Sequence, residues 1–342
     1  MTSFFEYKWK YLPANLFRHF FKDIQPPDEY LYVTHEGTKG WILDAKARRL
    51  SAHSGLPSKV CYSVNFRNLP DAAGYYFLHQ KYFARAIRYN PSLFKRKKIV
   101  MFTHAEWNRW YSAGHMGYVL NFADEIVCLN TAAAQELKAI GIPEHKIHVY
   151  HMASDPAVFT PKQRTGDGAI GFSMAYGPRK RPDMVVQLIK EIPQRKFILI
   201  GPRWTEYPPF AEIMNSSNLT YYDDIEYSRY PELYRQMDVY VSTSVLEGGP
   251  VPVLEAMLCN IVPVASKTGF CPDIIEHGVN GFLFETDASV NTIKALIEKA
   301  FELKSNVRTG IEVHSWANYG RKIAGLFRGI NLSEQRKGID RF

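Results

Sequence analysis

Residues 239–266, VYVSTSVLEGGPVPVLEAMLCNIVPVAS, constrain the fold more than any other stretch of this chain. A short β-branched run leads into a small polar turn and the triplet Glu247-Gly248-Gly249. About two helical turns carrying Glu255 follow, and then a second apolar run. Strand, turn, helix and strand in that order make a parallel βαβ unit. In open α/β sheets, ligands bind beyond the carboxyl ends of the strands. This turn therefore brings a carboxylate, two flexible glycines and a helix start to that edge. The N–H groups of Gly248, Gly249 and Val251, together with the positive end of the helix dipole, are expected to be free for an anion such as a diphosphate. Glu255, one turn into the helix, suits hydroxyl groups of a ribose or a sugar. The competing reading of the same residues is an ordinary βαβ turn with two surface glutamates.

The two glutamates stand eight positions apart, as Glu-x7-Glu with Ala256-Met257 after the second. In that form the segment resembles the signature of retaining glycosyltransferases of the GT-B fold, family 4. The likeness continues, in order, through residues 169–183, 196–201, 232–244 and 260–285, with residues 122–161 resembling the segment between the family's two domains. It covers the second half of the chain well and the first quarter poorly. It implies an α/β protein with two Rossmann-like, doubly wound domains facing each other across a cleft. On this reading residues 1–161 form an acceptor domain with a basic face and residues 162–310 a nucleotide-sugar domain. Residues 311–342 then supply a terminal helix that packs back on the first domain.

The resemblance also implies chemistry: transfer of a hexose-type sugar, with retention and without a metal or other cofactor, from a nucleotide-diphosphate donor to a saccharide or lipid-linked saccharide. Glu247 is expected at the transferred sugar and Glu255 at the ribose. Lys180 matches a family cation, whereas the family's arginine position falls near Phe172-Ser173, so that either Arg179 substitutes for it or one cation is missing. The strand–loop–helix start around Gly37 and Gly40 corresponds to a glycine loop facing the donor phosphates. His104, after a strand at residues 99–103, corresponds to a histidine that contacts the donor, and Glu106 beside it is a candidate for facing the acceptor. The interdomain segment departs from the usual pattern at Met152, Ala153 and Ser154, while Asp155, Phe159 and Pro161 fit it. Two alternatives share the scaffold: a nucleotide-sugar epimerase or phosphorylase, and an inactive module that binds a partner or membrane.

Several elements follow from local pattern alone. Residues 30–36 and 59–64 read as strands, 41–53 as a helix, and 75–89 as a further helix with Tyr76, Phe83 and Ile87 near one face. Asp287 is expected to cap a helix reaching about residue 303. Residues 1–22 combine aromatic and basic side chains at helical spacing, which fits a packed helix or one lying at a membrane interface. Asp223-Asp224, at a strand end, reads as turn chemistry rather than a metal pair.

Charge is distributed unevenly. Residues 1–165 hold 22 Lys and Arg against 13 Asp and Glu, and the remainder 20 against 21. From Lys46 to Lys98 there are twelve basic residues and one acidic residue, Asp71. This asymmetry points to an anionic partner for the first domain: a lipid surface, an acidic acceptor or nucleic acid, with an anionic membrane surface before nucleic acid, for which no binding motif is present. No apolar run is long enough to span a bilayer. Cys61, Cys128, Cys259 and Cys271 share no CxxC spacing, so buried free thiols in a cytoplasmic protein, peripheral on the inner membrane face, are expected.

Overall fold

The computed structural model describes residues 27–105 and 111–330. Residues 1–22, Glu106 and the last part of the expected terminal segment lie outside these. The chain divides into two compact units. The first runs to His151 and resumes at Trp316, and the second spans Met152–Ser315.

The first unit is built on strands β1 (Tyr30–His35), β2 (Ser58–Ser63), β3 (Gly74–Phe77), β4 (Lys97–Phe102), β5 (Glu125–Cys128) and β6 (Ile147–Val149), all parallel in the order β2-β1-β3-β4-β5-β6. The second has β7 (Ala169–Ser173), β8 (Phe197–Ile200), β9 (Leu219–Tyr222), β10 (Met237–Ser242), β11 (Val262–Ser266) and β12 (Phe282–Phe284), again all parallel, in the order β12-β11-β10-β7-β8-β9. The interior strands AIGFS, FILI and MDVYVS are buried along their whole length. Parallel strands covered on both faces need such continuous apolar runs. The edge strands β2 and β9 are only partly buried.

Three local expectations are corrected. Residues 75–89 are not one helix. Gly74–Phe77 is an interior strand, and the helix Gln80–Tyr89 begins only after His79, whose Nδ1 accepts from Lys81 N. Four fully buried residues between β1 and β4 outweigh the helical spacing of their side chains. The helix Val290–Glu302 is capped by Ser289 rather than Asp287, the serine side chain accepting from Thr292 N. Residues 152–161 lie with the second unit. Ser154 N donates to His314 O at 3.0 Å, while Arg308 donates to the carbonyls of Phe159, at 2.7 Å, and Pro156, at 3.0 Å.

The helix Trp316–Phe327 belongs to the first unit, where it packs on the helix Ile42–His53. Gly320 permits that approach, since a Cβ there would stand 2.3 Å from His53 O. The Tyr319 and Tyr76 hydroxyls meet at 3.2 Å beneath it. All four cysteines are free, three of them buried.

Candidate active site

From β7 the second sheet grows outward in both directions, through β8 and β9 on one side and through β10, β11 and β12 on the other. The loops after β7 and β10 therefore diverge at a topological switch point, where a crevice opens at the strand ends. The first loop carries Arg179 and Lys180 on the turn Pro178–Lys180, and the second carries Glu247. Lys180 Nζ donates to Glu247 Oε1, and Arg179 Nη1 lies 3.5 Å from Oε2. Backbone bonds hold the loops together independently of this charge. Val245 N donates to Arg179 O at 2.8 Å, and Thr243 Oγ1 to Lys180 O at 2.6 Å.

The Glu247 side chain is 8% exposed, Lys180 20% and Arg179 45%. Burial pushes the Glu247 carboxyl up. The Lys180 and Arg179 charges, with hydrogen bonds from Lys180 and Ser244, outweigh burial and hold it below its ordinary value. These three side chains together carry one surplus positive charge, and the more exposed cation, Arg179, presents a planar fork suited to phosphate oxygens.

The glycine turn is shaped by close packing more than by freedom. A Cβ on Gly249 would lie 2.9 Å from Met152 Cγ and 3.2 Å from the Phe270 ring. Gly269, which the sequence reading did not single out, takes φ +55° directly against Glu247 Cβ and Gly248 O, so it must stay glycine. Val251 departs from expectation, because its N–H is not free but donates to Gly249 O at 2.9 Å. Pro250, at φ −74° and ψ 81°, closes that inverse γ-turn. Pro252 has no N–H to offer, and Val253 N donates to Pro250 O at 2.9 Å.

Glu255, in the helix Val251–Leu258, is 2% exposed. Its Oε1 accepts from the Tyr227 hydroxyl and from Ser154 Oγ at 3.5 Å, and its Oε2 from the Tyr234 hydroxyl at 3.4 Å. Ser154 and Met152, two of the residues that break the expected interdomain pattern, thus touch Glu255 and the glycine turn. Tyr227 was missed too, because a tyrosine in a polar stretch 28 residues from its partner leaves no local signal. Around this carboxylate, Phe159 packs edge-on against Tyr227 and Tyr234, and Tyr234 stacks on Tyr240.

The remaining predicted residues lie in the first unit. Gly37 N donates to His35 Nδ1 at 2.9 Å and Gly40 N to Asp44 Oδ2 at 2.8 Å, so neither amide is free for a phosphate. Gly40 adopts φ +80°, the conformation that requires its glycine. His104 follows β4, and its carbonyl accepts from Gln80 Nε2 at 3.0 Å. Gln80 and His79 sit where β3 ends, beside the β1/β3 switch point. Reading β3 as helix hid both. Burial, with charge on Lys81, His104 and Lys46, holds the His79 imidazole down at about 3, so it is neutral at physiological pH.

Part of the basic run is matched by carboxylates. Arg96 pairs with Asp71, Lys97 with Glu125, Lys98 with Asp124 and Lys59 with Glu29. Arg67 and Arg88 flank the Tyr89 ring at 4.3 and 5.3 Å, and Arg85 is exposed on the same helix as Arg88. Asp223 accepts from Arg203 N at 3.1 Å and the Tyr221 hydroxyl at 2.8 Å, as a turn residue does. Among the described residues no cluster of three His, Cys, Asp or Glu is arranged to hold a metal ion, and no helix is long and apolar enough to cross a membrane.

Residues 157–323 match the family model described as glycosyl transferases group 1. The glycogen synthase of Thermodesulfovibrio yellowstonii is 28% identical over 114 residues, covering 31% of this chain and 23% of its own. The N-acetyl-alpha-D-glucosaminyl L-malate synthase of Bacillus anthracis is 25% identical over 196 residues, covering 55% and 46%. The chain thus spans less than half the length of these two curated relatives. Among solved structures, HepE of Anabaena in complex with UDP and glucose superposes with a TM-score of 0.69 at 17% identity, over 89% of this chain and all of the other. That likeness shows the fold, GT-B, built of two Rossmann-like units. Residues 157–323 are therefore similar to the group 1 glycosyl transferases, and the chain that carries them has the GT-B fold.

Proposed function

We propose that the chain is a retaining, metal-independent glycosyltransferase that moves a hexose-type sugar from a nucleotide-diphosphate donor to a saccharide or lipid-linked saccharide acceptor. One observation carries the reading: Lys180 and Arg179 converge on the buried Glu247 at the β7/β10 switch point. When the diphosphate departs, the sugar becomes oxocarbenium-like and negative charge develops on the leaving oxygen. Preorganised positive groups aimed at that charge are usually the largest catalytic contribution. In this reading Arg179 forks the phosphate oxygens and Lys180 supplies a point charge. Glu247 holds hydroxyls of the transferred sugar and Glu255 those of the ribose. His104 hydrogen-bonds a sugar hydroxyl. The acceptor attacks from the face the diphosphate leaves, and the leaving phosphate takes its proton, so no side chain acts as nucleophile.

The match of residues 157–323 to a glycosyl transferase family supports the reaction class. The UDP and glucose bound to HepE make uridine diphosphate sugars the first donors to test. The exposed Arg67 and Arg88 around Tyr89, with Arg85 exposed on the same helix as Arg88, support a lipid-linked acceptor met at the inner, cytoplasmic face of a membrane. The test is a panel of nucleotide sugars scored by thermal stabilisation, where a ligand at a hundred times its dissociation constant adds about 2.7 kcal/mol. Glu255→Ala is expected to weaken donor binding, and Glu247→Ala to lower turnover more than nucleotide affinity. Absence of any shift across the panel, or wild-type kinetics in both variants, would reject the proposal.

A further inference from the structure

The Glu255 carboxylate accepts from three hydroxyls, the kind of donor that a carboxylate built to grip a diol would also meet on its ligand. The three differ in how firmly they are held. Tyr234 is fully buried, stacked on Tyr240 and edge-on to Phe159. Ser154 is 1% exposed and its backbone is bonded to His314. Tyr227 instead is 41% exposed and sits on the three-residue turn Tyr227–Arg229, in a stretch that is exposed from Glu226 to Arg229. Its ring leans on Phe159 and Tyr230 at centroid distances of 5.9 and 5.2 Å, while its hydroxyl reaches in to Glu255 Oε1. Of the three donors, only Tyr227 can leave without opening the core.

We infer that the Tyr227 hydroxyl occupies, in the unliganded protein, the place of a ribose hydroxyl on Glu255 and is displaced when a nucleoside diphosphate binds. The inference rests on the proposed role of Glu255 and goes beyond it by naming a residue that competes with the donor. A buried carboxylate needs hydrogen bonds to stay ionised. Tyr227 supplies one until a diol replaces it, which keeps the carboxylate partnered and correctly aimed. The cost is affinity, because each binding event must first break the tyrosine's bond.

Tyr227→Phe keeps the ring contacts and removes the competitor. Calorimetric titration with UDP is expected to give roughly tenfold tighter binding to this variant than to wild type, the size of one hydrogen bond to a charged group. Titration with the 2′,3′-dideoxyribose analogue, which has no diol to displace the tyrosine, is expected to give the same affinity in both proteins. Weaker or unchanged UDP binding in Tyr227→Phe, with wild-type UDP binding intact and lowered by Glu255→Ala, would overturn this inference alone and make Tyr227 a fixed wall of the site. A tightening of equal size for the dideoxy analogue would also overturn it. No binding of UDP, GDP or ADP to wild type, or no effect of Glu255→Ala, would overturn the proposed role of Glu255 together with it.

Discussion

Replacing Lys180 with methionine removes one charge from the Glu247 cluster and keeps an unbranched apolar stem in its place. Glu247 is then left 8% exposed with Arg179 alone, 3.5 Å away and itself 45% exposed. Breaking a buried ion pair by removing one partner costs about 3–5 kcal/mol, and an exposed pair contributes below about 1 kcal/mol. With a buried carboxylate and a lysine one-fifth exposed, the expected loss at neutral pH is about 2 kcal/mol. The pH dependence identifies the cause. In the wild type the folded pKa of Glu247 lies below its unfolded value of 4.5. Its contribution to stability is therefore present above that value and is lost as pH falls through the folded pKa. Without Lys180, burial, already the largest single influence, outweighs what remains and the folded pKa is expected to rise above the unfolded one. Stability is then fully present below the unfolded value and is lost as pH climbs through the raised pKa. The penalty of Lys180→Met should thus be large near pH 7 and shrink toward pH 3.5. Calorimetry reads it as a fall of about 4–8 °C at neutral pH for a unit of this size. Adding Glu247→Gln removes the stranded charge and should recover much of the loss. An equal penalty at both pH values, or no recovery in the double variant, would refute the reasoning.

Two further perturbations test the frame that holds the site. Asp238, 1% exposed, accepts from Lys162, from Thr165 N at 3.1 Å, Gly166 N at 2.7 Å and Gly168 N at 3.1 Å, tying the segment before β7 to β10. Burial raises its carboxyl, but Lys162 and the Gly166 and Gly168 amides more than offset it and hold it below its ordinary 3.8. Asp238→Asn is therefore expected to cost about 3 kcal/mol near pH 7 in urea unfolding, with the gap to wild type narrowing as pH falls through the wild-type folded pKa; a gap independent of pH would count against this account. Gly201, at φ +139°, would place a Cβ 2.2 Å from Met174 O, an atom also held by Trp204 Nε1 at 2.9 Å. Gly201→Ala should cost at least about 3 kcal/mol, and a thermal midpoint within a degree of wild type would disprove the clash.

The βαβ pattern at residues 239–266 was legible because its signals are local. β-branched runs, a Gly-Gly turn and an apolar helix each declare themselves within a few residues, and the parallel sheet carries exactly such units in β10 and β11, which pair directly. The acidic and basic residues of the candidate site were legible for the same reason, since Arg179, Lys180 and Glu247 each end a recognisable strand–loop step. The misreading of β3 shows where local pattern fails. Tyr75, Tyr76 and Phe77 carry helical spacing with the residues after them, and their placement between β1 and β4 decides the matter through burial on both faces.

Backbone donors were the other failure. Val251 stands where a free amide is expected, yet Gly249 O takes its proton, and the amides of the Gly37–Gly40 loop are likewise engaged, by His35 and Asp44. Hydrogen-bond partners depend on ångström-scale geometry that residue type does not encode.

Taken alone, the sequence determined the α/β class, the strand-end position of Glu247, Lys180 and Arg179, and the concentration of positive charge before Lys98. It took the tertiary structure to show that Lys180 and Arg179 close on Glu247, that Lys59, Arg96, Lys97 and Lys98 of the basic run are matched by carboxylates distant in the chain, and that Ser154, Tyr227 and Tyr234 converge on Glu255 from up to 101 residues away. Periodicity records which face of an element is buried, whereas the identity of a side chain's partner is set by sheet order, which brings together residues that have no relation along the chain.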